Sequence, residues 1–332
     1  MRVLISGGTG FIGRPLVRGA LGRGWDVAIL TRRPDSPEAR ELAARGARLV
    51  VGDITDRASL QAAFEVSHPA LFFHNAGWYE LGIPARARRR MWAVNVEGTE
   101  NALSLAAEAA VGRVVYTSST TAIGDTGGIE ADETFRRRAA PLSYYEVTKM
   151  EAHAVAQRHQ GAGEPVVIAC PAQAIAPGDH SPFGALTRLF VRRRLPPLTW
   201  APEGVFTFGH VEDVAAAMLL VGEKGRPGET YFVAGTALTN RELMRVWGEA
   251  SGLRPPHIWL PRPMAVAQGA LAAPLLRAFG QPAFISAEVV RSSYVSFRYS
   301  SQKAIRELGA SFRTAEAAWS ETLQEEIRRA VA

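Results

Sequence analysis

The stretch Val3-Leu4-Ile5-Ser6-Gly7-Gly8-Thr9-Gly10-Phe11-Ile12-Gly13 decides the fold. It opens with a short apolar run, which predicts a buried strand, and passes through Gly7-x-x-Gly10-x-x-Gly13 into a helical pattern. Glycines at this spacing allow a tight turn, let the backbone approach a pyrophosphate and permit close packing of helix on strand. The order strand, loop, helix favours a phosphate-binding loop over a purely structural turn, because the following helix N-terminus offers free N–H groups.

Downstream of this loop, short apolar runs alternate with longer helical patterns. Continuous apolar strands separated by helices predict an α/β fold, a doubly wound parallel sheet with helices on both faces. The predicted strands are residues 3–5, 27–30, 49–51, 70–73, 114–116 and 166–169. The predicted helices include residues 16–22, 38–44 and 92–110.

The pattern becomes irregular after about residue 175, where prolines mark loops. Helical patterns recur at residues 211–222, 240–251, 286–292 and 301–308. We therefore predict a first domain at 1–175, which contains the doubly wound sheet, and a smaller, mostly helical region at 176–332, with parts of the latter returning to the first domain.

The amino-acid composition indicates the class of protein and the compartment in which it is expected. The chain has 332 residues, 47% hydrophobic and 21% charged, which is ordinary for a globular protein. Cys170 is the only cysteine, so no intrachain disulfide can form, which fits a reducing compartment. No signal peptide precedes the glycine loop, and the apolar stretch 263–279 is too short to span a bilayer. We expect a cytoplasmic protein with no membrane partner and no metal site.

The chain is basic, with a net charge of +6, and its arginines form runs at 86–90, 136–138 and 192–194. Such runs are able to contact nucleic acid, but no aromatic ladder or nucleic-acid motif accompanies them. We interpret them as solvated helix faces and loops and predict no nucleic-acid partner. The positive charge also favours attraction of a phosphorylated cofactor.

The end of the second strand indicates which cofactor binds. A carboxylate there would hydrogen-bond the 2′-hydroxyl of NAD and repel a 2′-phosphate. This chain has Arg32 and Arg33 instead, whose guanidinium groups suit a phosphate. We predict NADP(H) as the preferred cofactor, with NAD(H) as the alternative because Asp35 lies close by.

Two further strand ends complete the predicted crevice. Asp53-Ile54 follows the third strand, where a carboxylate can accept a bond from the adenine amino group, although Asp53 is equally placed to cap the helix that starts near Asp56. His74-Asn75-Ala76-Gly77 follows the fourth strand, where small residues let a cofactor lie close. Carboxyl ends of parallel strands meet at one edge, so these segments are expected to share a ligand crevice.

Tyr145 and Lys149 are the candidate catalytic pair. They lie four residues apart and hence on one helix face, after a fifth strand that ends in Ser118-Ser119. A nearby ammonium is expected to lower the pKa of the phenol and ease proton transfer to a carbonyl oxygen as hydride arrives. Ser119 would hold the substrate oxygen and Lys149 the nicotinamide ribose. Tyr144, the competing phenol, is assigned to packing because its i+4 neighbour is Thr148.

Together these residues resemble the extended short-chain dehydrogenase/reductases of the NAD-dependent epimerase/dehydratase superfamily. The resemblance runs from Gly7 to about Leu308 and includes Asn95-Val96-Glu97-Gly98-Thr99, Pro171, the segment 210–215 and the segment 301–309. It implies that residues 1–175 form a Rossmann domain that holds the cofactor and that 176–332 form a substrate-binding region. It also implies that Asn95 supports the site, that Pro171 and Ala172 line the nicotinamide pocket, and that His210 is structural. The resemblance also implies a homodimer formed by the helices before Ala110 and after Tyr145.

The predicted catalytic residues are Ser119, Tyr145 and Lys149. The predicted cofactor-binding residues are Gly7, Thr9, Gly10, Phe11, Ile12, Gly13, Arg32, Arg33, Asp53, Ile54, Asn75, Ala76, Gly77, Asn95, Thr117, Tyr145, Lys149, Pro171 and Ala172.

Within the family, the chain looks most similar to dihydroflavonol-4-reductase-like carbonyl reductases. Thr120-Thr121 follows Ser119, where a nucleotide-sugar dehydratase would carry an Asp-Glu pair, and Ile123 replaces the tyrosine typical of sugar epimerases. We expect reduction of an aldehyde or ketone by NADP(H). A nucleotide-sugar epimerase with tightly bound NAD and a non-catalytic NADP-binding sensor or scaffold are the alternatives. Aromatic residues such as Trp78, Tyr79 and Trp200 hint at an apolar substrate, although aromatic side chains are more often core.

Overall fold

The computed structural model describes residues 1–281 and 283–331. Its strands are β1 (Arg2–Ser6), β2 (Asp26–Thr31), β3 (Arg48–Val51), β4 (Leu71–His74), β5 (Arg113–Thr117), β6 (Val166–Pro171), β7 (Gln173–Ile175), β8 (Leu198–Trp200), β9 (Val205–His210), β10 (Thr230–Val233), β11 (Thr236–Thr239), β12 (Ile258–Leu260) and β13 (Ser296–Phe297). Its helices are α1 (Gly13–Gly22), α2 (Pro37–Ala44), α3 (Arg57–Ser67), α4 (Ala85–Trp92), α5 (Gly98–Glu108), α6 (Thr120–Ile123), α7 (Tyr144–Gly161), α8 (Pro182–Val191), α9 (Val211–Lys224), α10 (Asn240–Ser251), α11 (Arg262–Ala278), α12 (Ala287–Ser292), α13 (Gln302–Leu308) and α14 (Ala315–Val331).

The predicted doubly wound sheet is confirmed. Seven strands of the described chain pair in parallel in the order β10-β6-β5-β4-β1-β2-β3. Their side chains are buried on both faces: Ile5 and Val115 face the α1 and α9 layer, whereas Leu4 and Val114 face α3, α5 and α7. Two covered faces explain why the strands have continuous apolar sequences.

The helix predicted at 92–110 differs from the observed one. The helical segment begins at Ala85, after Pro84 in extended conformation, and runs through a π-helical turn at Ala93–Glu97 before α5. The extra residue of a π turn rotates the following helix relative to α4, and such turns are frequent at functional sites. Asn95 lies in this turn and is buried.

The C-terminal region contains the four predicted helices α9, α10, α12 and α13, together with short strands that the sequence did not predict. Strand β9 pairs with β7, β11 and β13, and β8 pairs with β12. These strands have six residues or fewer, which leaves little periodic signal. Strands β7, β9 and β11 pack with α8, α10 and α14 around a second core that contains Phe208, Trp247 and Trp319.

Parts of the C-terminal half also complete the first core. Strand β10 extends the parallel sheet beside β6, and α9 packs under β5 and β6. His210 is structural, because its side chain caps α9 by accepting a bond from the backbone N–H of Glu212 at 3.4 Å. Among the described residues, no helix is both long and apolar enough to cross a lipid bilayer.

Candidate active site

The glycine loop is built from contacts that larger residues would break. Gly7 has φ +68°, and a Cβ there would lie 2.7 Å from the Ala76 backbone. A Cβ on Gly13 would lie 2.0 Å from the carbonyl oxygen of Gly7, so helix α1 packs directly on the loop. Gly10 is exposed and lines the crevice, and Thr9 beside it is half-buried. The second glycine is therefore the one that lets a ligand approach the backbone.

The N-terminus of α1 fits a pyrophosphate. The backbone N–H groups of Phe11 and Ile12 donate to no acceptor among the described residues, and both residues line the crevice. Unpaired amides at a helix N-terminus carry partial positive charge and form a binding site for anions. These residues fit the diphosphate of a nicotinamide dinucleotide.

The ends of β1 and β4 are joined beneath the loop. Asn75 Nδ2 donates to the Gly7 carbonyl at 3.3 Å, and the Ala76 N–H donates to Ser6 Oγ at 3.2 Å. His74 bridges the Ser6 and Thr99 hydroxyls, and burial lowers its pKa to about 3, so it is neutral. Gly77 is exposed beside this junction and lines the crevice together with Asn75 and Ala76.

Ser119, Tyr145 and Lys149 line the same crevice as the glycine loop. Ser119 ends the β5 turn, and its Oγ accepts a bond from the Thr121 N–H at 3.1 Å. Tyr145 lies in the first turn of α7. One turn further along α7, Lys149 Nζ donates to the Thr117 carbonyl at 3.1 Å, which fixes α7 against the end of β5. The structure thus brings the three predicted catalytic residues to one wall.

The pKa values correct one expectation. Lys149 was predicted to lower the pKa of Tyr145, but burial dominates and raises it, and only a hydrogen bond with Ser119 acts in the opposite direction. Burial also lowers the pKa of Lys149 to about 8. Both groups lose favourable hydration of their charged forms, which favours the neutral phenol and the neutral amine. Tyr145 is therefore protonated, as a proton donor must be.

The side-chain amide of Asn95 makes hydrogen bonds within the protein and is not free to bind a ligand. Its Oδ1 accepts from the Trp78 N–H at 2.7 Å, and its Nδ2 donates to the Trp78 carbonyl and to Thr148 Oγ1 at 3.0 Å each. Thr148 Oγ1 donates to the Tyr145 carbonyl at 2.8 Å. The amide thus joins the π-helical turn, the crevice loop and the catalytic helix. Its role as a direct cofactor ligand is not favoured, because its N–H and C=O groups are already paired.

The arginines predicted to select the cofactor directly follow β2, and neither they nor Asp53 are among the residues that line the crevice. Arg32 and Arg33 are exposed, and Arg32 approaches Asp53 at 3.8 Å. Asp53 does not cap α3, a role that Asp56 takes; its Oδ1 accepts instead from Thr55.

Ile54 follows β3, and Arg14 lies in the first turn of α1. The Ile54 side chain lies in the core, which leaves only its backbone for a ligand. Arg14, which the sequence analysis did not identify, lies with Arg33 near Glu38. A backbone hydrogen bond is the main cause of the lowered pKa of Glu38, and the positive charges of Arg14 and Arg33 lower that pKa further. The position of Arg14, directly after the last glycine of the loop, is the feature of the sequence that could have identified it as a site residue.

The crevice opens into a cavity of about 500 Å³. Its inner part is formed by the predicted residues Thr117, Pro171 and Ala172 with the catalytic wall. The rest of the lining is mostly aromatic and apolar and includes Trp78, Tyr79, Leu81, Phe183, Leu186, Trp200, Phe206, Val289 and Phe297. Its polar residues include Gln173, Asp179, His180, Ser181, Thr207, Ser292 and Ser293. The Tyr79 ring packs edge-on against Tyr145, with centroids 4.8 Å apart.

Three functional contacts escaped the sequence analysis. Asp179 is a buried carboxyl that lines the cavity, and burial raises its pKa. Arg137 forms a largely buried ion pair with Glu146, the neighbour of Tyr145. Ser118 Oγ bonds His153 Nδ1 at 2.8 Å and so joins β5 to α7. No local pattern marks these residues, because each depends on a partner that folding brings near.

The chain belongs to the NAD dependent epimerase/dehydratase family, whose sequence profile matches residues 3–234. It is 31% identical over 317 residues, 92% of this chain and 88% of the other, to a protein of Synechocystis sp. with the provisional name dihydroflavonol 4-reductase. It is 30% identical over 282 residues to sterol demethylase protein B of Methylococcus capsulatus, covering 84% and 83% of the two chains. The crystal structure of gox2253 superposes with a TM-score of 0.81 at 28% identity, covering 99% of this chain and 98% of that one.

Proposed function

We propose that the protein is an NADP(H)-dependent oxidoreductase that reduces the carbonyl group of a small apolar aldehyde or ketone. One observation carries the proposal: Tyr145, Ser119 and Lys149 share a wall with the glycine loop, and this wall opens into an aromatic cavity. A bound nicotinamide would supply the hydride chemistry, and the protein supplies position and electrostatics.

The residues have distinct roles in this reaction. Tyr145 holds its proton because burial raises its pKa, and it donates that proton to the carbonyl oxygen. Ser119 lines the crevice beside Tyr145, acts to lower the pKa of Tyr145, and is placed to hold the same oxygen. Lys149, fixed by the Thr117 carbonyl, keeps further N–H donors for a ribose hydroxyl. Phe11 and Ile12 offer amides to the diphosphate, and Arg32 and Arg33 suit a 2′-phosphate.

The substrate end of the cavity supports reduction of an apolar carbonyl over nucleotide-sugar chemistry. A uridine diphosphate sugar needs several polar and cationic partners, whereas aromatic and aliphatic residues dominate this wall. The sterol demethylase relative carries the name of an enzyme acting on an apolar molecule. A sterol or another polycyclic ketone therefore belongs in the first panel of substrates.

The first test is NADPH oxidation across aldehydes, ketones and nucleotide sugars. We expect turnover with apolar carbonyls, and a loss of about 100-fold or more in kcat for Tyr145→Phe with cofactor affinity retained. Tyr144→Phe is the matched control and should keep its turnover, because Tyr144 packs under Arg88 outside the cavity. Bound NAD(H) with sugar epimerisation and no net oxidation would contradict the proposal. Binding of NADPH without turnover of any carbonyl would favour a sensor or scaffold.

A further inference from the structure

Helix α11 presents large apolar side chains to solvent. Met264 is 59% exposed, Leu271 69%, Leu275 61% and Phe279, at its C-cap, 80%. At 100° per residue these positions form one stripe, and the other exposed residues beside it are also apolar: Ala267, Ala270, Pro274 and Ala278. The polar Gln268 lies on the same line but is half-buried. A surface helix of a globular protein normally shows the opposite arrangement, with its polar face outward.

The inner face of the same helix explains the arrangement. Ala265, Gly269 and Ala273 are the buried residues of α11. Gly269 packs so closely that a Cβ would lie 2.7 Å from the Ser286 backbone at the start of α12. The small residues therefore pack against the protein, and the large ones remain outside. A contiguous exposed apolar face of this kind marks an interaction surface.

The charge around the stripe indicates what covers it. The sequence has no Asp or Glu between Glu249 and Glu288, but it has Arg254, Arg262 and Arg277. All three arginines are exposed, and none forms an ion pair with another described residue, although Arg262 lies over the Tyr294 ring, 5.4 Å from its centroid. Two copies of this chain meeting through α11 would offer these arginines no carboxylate from the same segment of the partner copy. An anionic lipid surface offers phosphates for the arginines and acyl chains for the stripe.

We propose that α11 docks the protein on the surface of an anionic bilayer, lying in the plane of the interface. The expectation of no membrane partner rested on the length needed to span a bilayer, and a helix that lies on the surface does not need that length. The docking stripe is defined as Met264, Leu271, Leu275 and Phe279. Arg262 and Arg277 lie at the two ends of α11, off the line of the stripe.

Docking would place the substrate cavity next to the membrane. Helix α12, against which α11 packs, contributes Val289 and Ser292 to the cavity wall. Trp200 lines the same cavity from β8, and β8 pairs with β12, the strand just before α11. An apolar substrate dissolved in the bilayer would thus have a short route to the catalytic wall. This consequence rests on the proposed function, whereas the docking itself does not.

The test is co-sedimentation of the full chain with vesicles. We expect binding to phosphatidylcholine vesicles that contain phosphatidylglycerol, and weaker binding to phosphatidylcholine alone or at high salt. Replacing Leu271, Leu275 and Phe279 together by Ser should weaken binding by about tenfold or more. The matched control replaces three exposed apolar residues elsewhere on the surface by Ser: Val66, Ile129 and Ile305. This variant should bind the vesicles as well as the wild type does.

Charge and oligomeric state complete the test. Arg262→Gln with Arg277→Gln should weaken binding to the anionic vesicles by about 25-fold, at about fivefold for each arginine. Arg2→Gln with Arg306→Gln, two other exposed arginines, should have little effect. Absence of vesicle binding by the wild type would overturn the proposal. So would a wild-type dimer that the three serine substitutions dissociate, because the stripe would then bind a second copy. All readouts are independent of enzyme activity and unaffected if the proposed reaction is wrong.

Discussion

At the scale of single residues, the proposed chemistry depends on two side chains that are buried in the folded protein. Tyr145 and Lys149 are both shifted toward their neutral forms by burial. The cation one turn away does not turn the phenol into a phenolate in the protein without cofactor, although the spacing alone suggested it. Burial favours the protonated phenol, which suits the reductive direction of the reaction.

The lowered pKa of Lys149 predicts a pH profile. Lys149 is an ammonium below about pH 8 and loses its charge above it. The ammonium has three donors, so the neutral amine binds ribose oxygens and phosphates less well. We expect kcat/KM for NADPH, which reports the cofactor-free enzyme, to fall as the pH rises through about 8. Lys149→Arg should remove this decrease, because a guanidinium group stays charged over this pH range. The prediction concerns the shape of the pH profile and not the absolute rate of the variant. The same fall in that variant would contradict the assignment.

At the scale of elements, the loop between α6 and α7 is held by one arginine. Arg137 bonds the carboxylate of Glu146 in α7 and the carbonyls of Thr121 and Ala122 in α6. Glu146 also accepts from the Leu142 N–H at 2.7 Å. Because α6 begins after Ser119 and α7 contains Tyr145, this ion pair sets the position of one catalytic hydroxyl relative to the other.

Arg137→Ala should destabilise the protein strongly. The Glu146 side chain is only 3% exposed, so the substitution leaves a buried carboxylate without its cation. A loss of about 3 kcal/mol in the free energy of unfolding is expected, measured by urea denaturation. Adding Glu146→Gln should recover part of it, because the uncompensated charge is gone. Arg138→Ala, an exposed neighbour, should change stability by about 0.5 kcal/mol or less. Equal effects of the two arginine variants would refute a structural role for the ion pair.

At the scale of the whole molecule, the crevice combines residues from both halves of the chain. The first half provides the glycine loop, the strand ends and the catalytic helix. The second half provides the aromatic wall with Phe183, Trp200 and Phe206. Binding a ligand that touches both halves stabilises the folded state by mass action, so thermal unfolding reports cofactor preference directly.

NADPH should protect against thermal unfolding more than NADH at equal concentration. The expected cause is pairing of Arg32 and Arg33 with the 2′-phosphate, since both residues are exposed just after the carboxyl end of β2. Replacing both arginines by Ser should remove the difference between the two cofactors. Arg45→Ser, a surface arginine paired with Glu41, should keep it. Equal protection of the wild type by both cofactors would remove the argument for NADP(H).

The sequence alone determined the features that are encoded locally. The glycine spacing at Gly7, Gly10 and Gly13 requires close backbone packing, and continuous apolar strands require a sheet covered on both faces. The i, i+4 spacing of Tyr145 and Lys149 holds on any helix. These signals predicted the doubly wound sheet and the residues that meet at its edge. They did not predict the π-helical turn or the short strands of the C-terminal half, because neither has a periodic signature.

Only the tertiary structure decided which polar groups are buried and which apolar faces remain exposed to solvent. The pKa of Tyr145 moved opposite to the direction suggested by its neighbour, because burial outweighs a cation whose own charge is also disfavoured. The ion pair of Arg137 with Glu146 depends on a loop folding back on α7. Helix α11 turned its large residues outward because its small residues fit against α12. Burial and contact between distant segments are properties of the assembled fold, and no local stretch of sequence specifies them.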